Sequence, residues 1–132
     1  MIRAALISVF VASFIGGCAH EPPPMPEAPM TPASRTTSDN ERSIFAITEQ
    51  RCKREIRCEN VGPDKSYSSE DDCRTQLNKA GYNSLGLDNC PAGIDPSALQ
   101  VCLSSIQAEE CGKPLDSIER MVDCRSGKLC AS

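Results

Sequence analysis

Apolar side chains are sparse along this chain, and beyond the first 15 positions they recur at helical rather than strand spacing. A first helix is predicted from about Glu41 to Arg57, capped by Ser38, Asp39 or Asn40. Phe45, Cys52 and Ile56 fall at helical intervals in it, and Gly62-Pro63 lies past its end. A second is predicted to start at Ser68 or Ser69. It puts Glu70, Asp71 and Asp72 at the positive end of the helix dipole, carries Cys73 and Leu77, and stops at Gly81. The third has Asp95 as N-cap and Pro96 at the first helical position. Leu99, Cys102, Leu103 and Ile106 share one of its faces, and its end is expected near Gly112. A fourth starts near Pro114-Leu115-Asp116, carries Ile118, Met121, Val122 and Cys124, and ends before Gly127. No segment alternates cleanly as a strand does. The expected fold is all-α, a small disulfide-rich domain of about four short helices.

The first 15 residues follow another rule. Met1-Ile2-Arg3 is a positive start, and Ala4–Ile15 is an uncharged run too short to span a membrane, which needs about 20 residues. Ile15-Gly16-Gly17-Cys18 then matches a bacterial lipobox, in which small residues let the backbone enter the signal peptidase and the thiol carries lipid. The alternative is an ordinary secretory signal that contains a cysteine. Read as a lipobox, residues 1–17 are a lipoprotein signal peptide and Cys18 is the lipidated residue, giving an N-terminal lipid anchor in the membrane. Ala19, rather than Asp, follows it, which points to the outer membrane of a bacterial cell envelope. Residues 18–42 hold six of the ten prolines and are expected to form a disordered, extended tether. At about 3.1 Å per residue it would reach roughly 70 Å. Residues 43–132 are the expected domain.

Cysteine usage reinforces the compartment. The chain has 132 residues and nine cysteines, and setting Cys18 aside leaves an even eight: Cys52, Cys58, Cys73, Cys90, Cys102, Cys111, Cys124 and Cys130. In a secreted chain these read as four disulfides of unknown pairing, stapling a domain with few core side chains. Zinc is disfavoured because no two cysteines stand two to four residues apart, and the single histidine, His20, sits in the tether. No Cys-x-x-Cys redox motif occurs, and no metal or cofactor is expected. The six-step pairs Cys52/Cys58 and Cys124/Cys130 are not accompanied by any further repeat.

Composition removes other functions. A formal charge of −4 argues against nucleic acid, and Phe45, Tyr67 and Tyr82 are the only aromatics beyond the leader. The domain has no histidine to act as general base, so Ser104 and Ser105 lack an evident activator and no catalytic residue is assigned. Glu70-Asp71-Asp72 lacks the alternating spacing of a calcium loop and reads as a solvated helix start. Glu109-Glu110 reads as surface charge. Arg51, Lys53, Arg54 and Arg57 form the most suggestive surface, suited to anionic lipid or an acidic partner. Glu55 breaks the run and Glu49 precedes it, which favours a mixed solvated face, and pairing with the acidic start of the second helix is the other use.

Several segments together resemble a family. They are Arg51-Cys52, Arg57-Cys58-Glu59-Asn60-Val61-Gly62, Tyr67 near Cys73, Asn89-Cys90-Pro91-Ala92-Gly93-Ile94-Asp95, Cys111 through Pro114-Leu115-Asp116 to Cys124-Arg125-Ser126, and Leu129-Cys130. With the lipobox and tether they are similar to small myxobacterial lipoproteins of a domain-of-unknown-function family labelled natural product biosynthesis lipoprotein. The resemblance covers roughly residues 50–130. It implies an anchored, disulfide-bonded protein associated with natural product (secondary metabolite) biosynthesis, and no particular reaction. The expected function is therefore a membrane-anchored, non-catalytic binding or accessory module with a protein or small-molecule partner. The alternatives are an inhibitor or immunity protein using the Leu85–Asn89 segment as its exposed loop, and a small envelope enzyme using carboxylates as acid and base.

Overall fold

A computed structural model of the chain describes residues 31–132. The leader, Cys18 and most of the predicted tether lie outside the described residues. Five helices follow one another: α1 (Pro32–Arg57), α2 (Glu70–Leu85), α3 (Pro96–Ala108), α4 (Pro114–Asp123) and α5 (Ser126–Leu129). Among the described residues β-structure is limited to two isolated bridges, Val61 with Tyr67 and Ile94 with Cys130. The all-α, disulfide-rich class is as predicted. None of these helices is long and apolar enough to cross a membrane.

Helix α1 is longer than its apolar pattern suggests. It begins at Pro32, inside the segment expected as tether, with Thr31 Oγ1 accepting from the Ser34 N–H (3.2 Å). Pro32 fits the first helical position because that residue's N–H has no intrahelical partner to lose. Asn40, Ile44, Ile47, Thr48, Cys52 and Glu55 share the buried face, so half of it is polar. Asn40, predicted as a cap, is instead inside the helix, and its Nδ2 donates to the Cys90 carbonyl (3.0 Å). Phe45 and Ile56, predicted on the apolar face, are exposed. The helix closes at Cys58 with the Asn60 N–H bonding to the Glu55 carbonyl and the Glu59 N–H to that of Ile56. Glu59 occupies the left-handed position (φ 56°) that glycine usually fills in this motif.

Helix α2 starts as expected, with Ser69 Oγ accepting from the Asp72 N–H (3.1 Å) and Asp72 accepting in return from the Ser68 N–H (2.9 Å). It does not stop at Gly81. A β-carbon there would lie 2.6 Å from Ile44 Cγ2, so glycine is present because α1 and α2 pack closely at that point. The helix continues to Leu85, which is buried. In α3 the predicted cap is present, Asp95 Oδ1 accepting from the Ala98 N–H (2.8 Å), and Cys102 and Ile106 are buried. That helix ends at Ala108, short of Gly112, because Glu109 turns inward. Helix α5, missing from the sequence prediction, brings Leu129 into the core.

The main core joins Ile44, Ile47, Leu85, Cys90, Cys102, Ile106 and Leu129; a smaller cluster joins Cys52, Cys73 and Leu77, with Val61 and Tyr67 against it. All eight domain cysteines pair: Cys52–Cys73, Cys58–Cys111, Cys90–Cys130 and Cys102–Cys124. The first ties α1 to α2 and the last ties α3 to the end of α4. The other two lock the end of α1 and the turn after α2 to later parts of the chain.

Candidate functional site

The four cations predicted as one surface are dispersed by the helical turn. Lys53 stays exposed, and Arg57 is exposed but donates from Nη2 to the Glu109 carbonyl (3.0 Å). Arg54 turns inward and retains only 14% side-chain exposure; its Nη1 lies 3.0 Å from Glu55 Oε1 and its Nη2 2.9 Å from Glu109 Oε1. Neither the solvated-face reading nor the predicted pairing with α2 describes it. The acidic start of α2 is taken instead by Arg74, which contacts Glu70 and Asp71 and reaches Glu49 at 2.7 Å.

Glu109, read from sequence as surface charge, is the most buried ion in the domain's polar interior, with 0% side-chain exposure. Arg120 Nε meets its second oxygen at 2.9 Å. Glu55 is completed by Asn60 Nδ2 at 2.6 Å. A carboxylate taken out of water needs such partners, since removal from solvent alone would cost several kcal/mol. Glu110, its neighbour, is exposed and pairs with Lys113, as the surface reading expected.

Arg51 borders this network without entering it. Its Nε is buried and has no hydrogen-bond partner among the described residues. Burial first, and the like charge of Arg120 second, lower its pKa from the ordinary guanidinium value; Tyr67, Glu55 and Glu109 act in the opposite direction. An arginine nevertheless keeps its proton inside proteins. Arg51, Arg54 and Arg120, with Arg57 at the Glu109 carbonyl, therefore face the carboxylates of Glu55 and Glu109 among the described residues, and positive charge is in excess there.

That surplus borders a cleft of about 250 Å³. Helix α1 contributes Ile47, Thr48 and Arg51; α2 contributes Leu77, Ala80 and Ser84; α4 contributes Arg120 and Met121. Gly81 forms part of its floor, where a larger side chain would push against Ile44. The cleft thus has an apolar floor and two guanidinium groups at its lining. Its volume falls just under the roughly 300 Å³ at which drug-sized ligand sites begin. Arg120, Thr48 and Ser84 were not singled out by sequence. The distance from Arg51 to Arg120 along the chain leaves no local signal that they meet.

Other predicted features fare differently. The Leu85–Asn89 segment is not a free loop throughout, because Leu85 is buried at the end of α2 and only the turn after it is exposed, Leu87 included. Ser105 Oγ donates to Asp123 Oδ2 (2.6 Å), which with Lys128 holds the Asp123 carboxyl below its ordinary value. On α4 the apolar residues Leu115, Ile118, Met121 and Val122 are exposed.

A family model described as a family of unknown function (DUF6184) matches residues 52–132. The match opens at the first disulfide cysteine and takes in all four disulfides. No curated protein and no solved structure matches the chain.

Proposed function

The chain belongs to the DUF6184 family, which brings no known activity with it, and we propose that it is a membrane-anchored lipoprotein of the bacterial envelope that works as a non-catalytic binding module. One observation carries this reading. The eight domain cysteines satisfy one another completely, so the ninth, Cys18, is the odd thiol, and it stands directly after Ile15-Gly16-Gly17 where lipid would be attached. A covalently stapled domain then hangs from the membrane by a Pro-rich segment. Its most developed polar feature is a charged cleft rather than an acid–base pair. The similarity of its cysteine-bearing segments to myxobacterial natural product biosynthesis lipoproteins supports a role beside secondary metabolite production. The module would hold a precursor, product or partner protein at the outer membrane.

Intact mass of the protein purified from native membranes, before and after reduction, tests the proposal. The expected species starts at Cys18, carries acyl chains and gains eight hydrogens on reduction. Cys18→Ser should lose the acyl mass and accumulate as the uncleaved precursor that still starts at Met1. An unacylated native chain, or a Cys18→Ser protein processed at the same position as the native one, would overturn the anchor.

A further inference from the structure

Resting on the binding-module reading, we infer that the cleft between α1, α2 and α4 binds a small amphiphile with a single carboxylate head, held by Arg51 beside Arg120, and a short aliphatic body. Three observations converge on that chemistry. Arg51 lines the cleft with its Nε buried and unbonded among the described residues, a donor that desolvation makes costly to leave unmatched. The described ions around it, Arg54, Arg57 and Arg120 with Glu55 and Glu109, leave positive charge in excess, which an anionic head group offsets. The remaining walls, Ile47, Leu77 and Met121, offer only aliphatic and thioether contacts, so the part of the ligand beyond the head is apolar.

Geometry favours a carboxylate over a diffuse anion. The planar guanidinium presents a fork of N–H groups that matches two carboxylate oxygens, and a charge-assisted pair of this kind is stronger in a half-enclosed site than in water. Arg120 Nε lies 2.9 Å from Glu109 Oε2, and the side chain also lines the cleft beside Arg51. The hydroxyl groups of Thr48 and Ser84 stand on the same lining and can donate to a head group. Ser84 donates to the Ala80 carbonyl in this structure (2.9 Å), a bond its rotor can exchange. A volume of about 250 Å³ suits a body of a few carbons, or the end of a longer chain leaving through the open side.

The test is isothermal titration of the mature lipidated protein in lipid nanodiscs, with empty nanodiscs subtracted. Hexanoate is the probe, acetate lacks the body, and 1-hexanol lacks the charge. Hexanoate is expected to bind with a Kd below about 1 mM. Acetate and hexanol should each bind at least tenfold more weakly. Arg51→Gln should weaken hexanoate at least tenfold. Ala80→Leu, an exposed rim substitution outside the ion network, should block the site even if Arg51→Gln proves poorly folded. Hexanoate binding unchanged in Ala80→Leu and in folded Arg51→Gln, or hexanol binding as tightly as hexanoate, would overturn the assignment. So would the absence of hexanoate heat. Each of these leaves the Cys18 acylation result untouched, so the ligand and the anchor fail separately.

Discussion

Replacing Glu109 by glutamine removes one negative charge from the domain interior while keeping side-chain volume and hydrogen-bonding atoms. No cavity forms, so the change isolates the ionic term. Two guanidinium groups lose their shared partner: Arg54 at 2.9 Å and Arg120 at 2.9 Å. Breaking a buried pair from one side costs about 3–5 kcal/mol because the remaining charge stays out of water. Two features place this case at the low end. Arg54 keeps Glu55 at 3.0 Å, and the arginines retain 14% and 15% side-chain exposure through which water reaches them. We expect a loss of about 3 kcal/mol, a fall of about 12–24 °C in thermal midpoint for a domain of this size. Differential scanning calorimetry under oxidising conditions reads it directly, with Glu110→Gln as the exposed control, expected to move the midpoint by no more than about 2–4 °C. A cycle with Arg120→Gln should show coupling above about 1 kcal/mol, since the two groups touch. If Glu109→Gln shifts the midpoint by less than about 4 °C, or the cycle shows no coupling, the ion network does not carry the stability assigned to it.

Other changes separate competing terms. Gly81→Ala gains up to about 1 kcal/mol in helix propensity but drives a methyl against Ile44, an overpacking cost of about 1–3 kcal/mol, so chemical denaturation should show a net loss of about 1 kcal/mol. Asp123 has its pKa lowered from 3.8 by Ser105 and Lys128, so its contribution is present above that value and is lost as pH falls below it. Asp123→Asn should accordingly flatten the acid limb of a stability–pH curve below about pH 4, and an unchanged limb would sink this account. Removing Cys58 and Cys111 together opens the longest loop, with a sequence separation of 53, and should cost about 4 kcal/mol; removing Cys52 and Cys73, separated by 21, should cost about 3 kcal/mol. Equal midpoints for the two double variants would contradict the chain-entropy argument.

What was legible in the sequence followed from local chemistry. Asp95-Pro96 and Ser69 with Asp72 are cap signals complete within four residues, and both helices start where those residues say. The even cysteine count gave disulfides, but pairing depends on tertiary approach and left no trace in spacing. Errors arose where long-range contact overrode a local rule. Gly81 reads as a helix stop, yet it is a packing glycine whose reason is Ile44, 37 residues earlier. Glu59, not a glycine, closes α1, so the usual mark of a helix end is absent there. Asn40 reads as a cap because its partner, the Cys90 carbonyl, is 50 residues away. The cleft failed to appear for the same cause. Arg51 was visible as part of a basic run, whereas Arg120, Glu109 and the floor at Gly81 join it only after α2 and α4 have docked.

The order in which the four disulfides overlap has a consequence for damage. The loop 52–73 overlaps 58–111, which in turn overlaps both 90–130 and 102–124. Every peptide bond between Cys52 and Cys130 therefore lies inside at least one closed ring. A single cut anywhere in that stretch leaves the two pieces joined by at least one sulfur–sulfur bond. The protein adds the mass of one water and remains one molecule until reduced. The stretch of α1 before Cys52 has no such insurance, although Ile44, Asn40 and Thr48 belong to the interior. Among the described residues before Cys130, the point of failure under proteolysis is thus confined to one segment. It is the segment that joins the overlapping rings to whatever lies upstream.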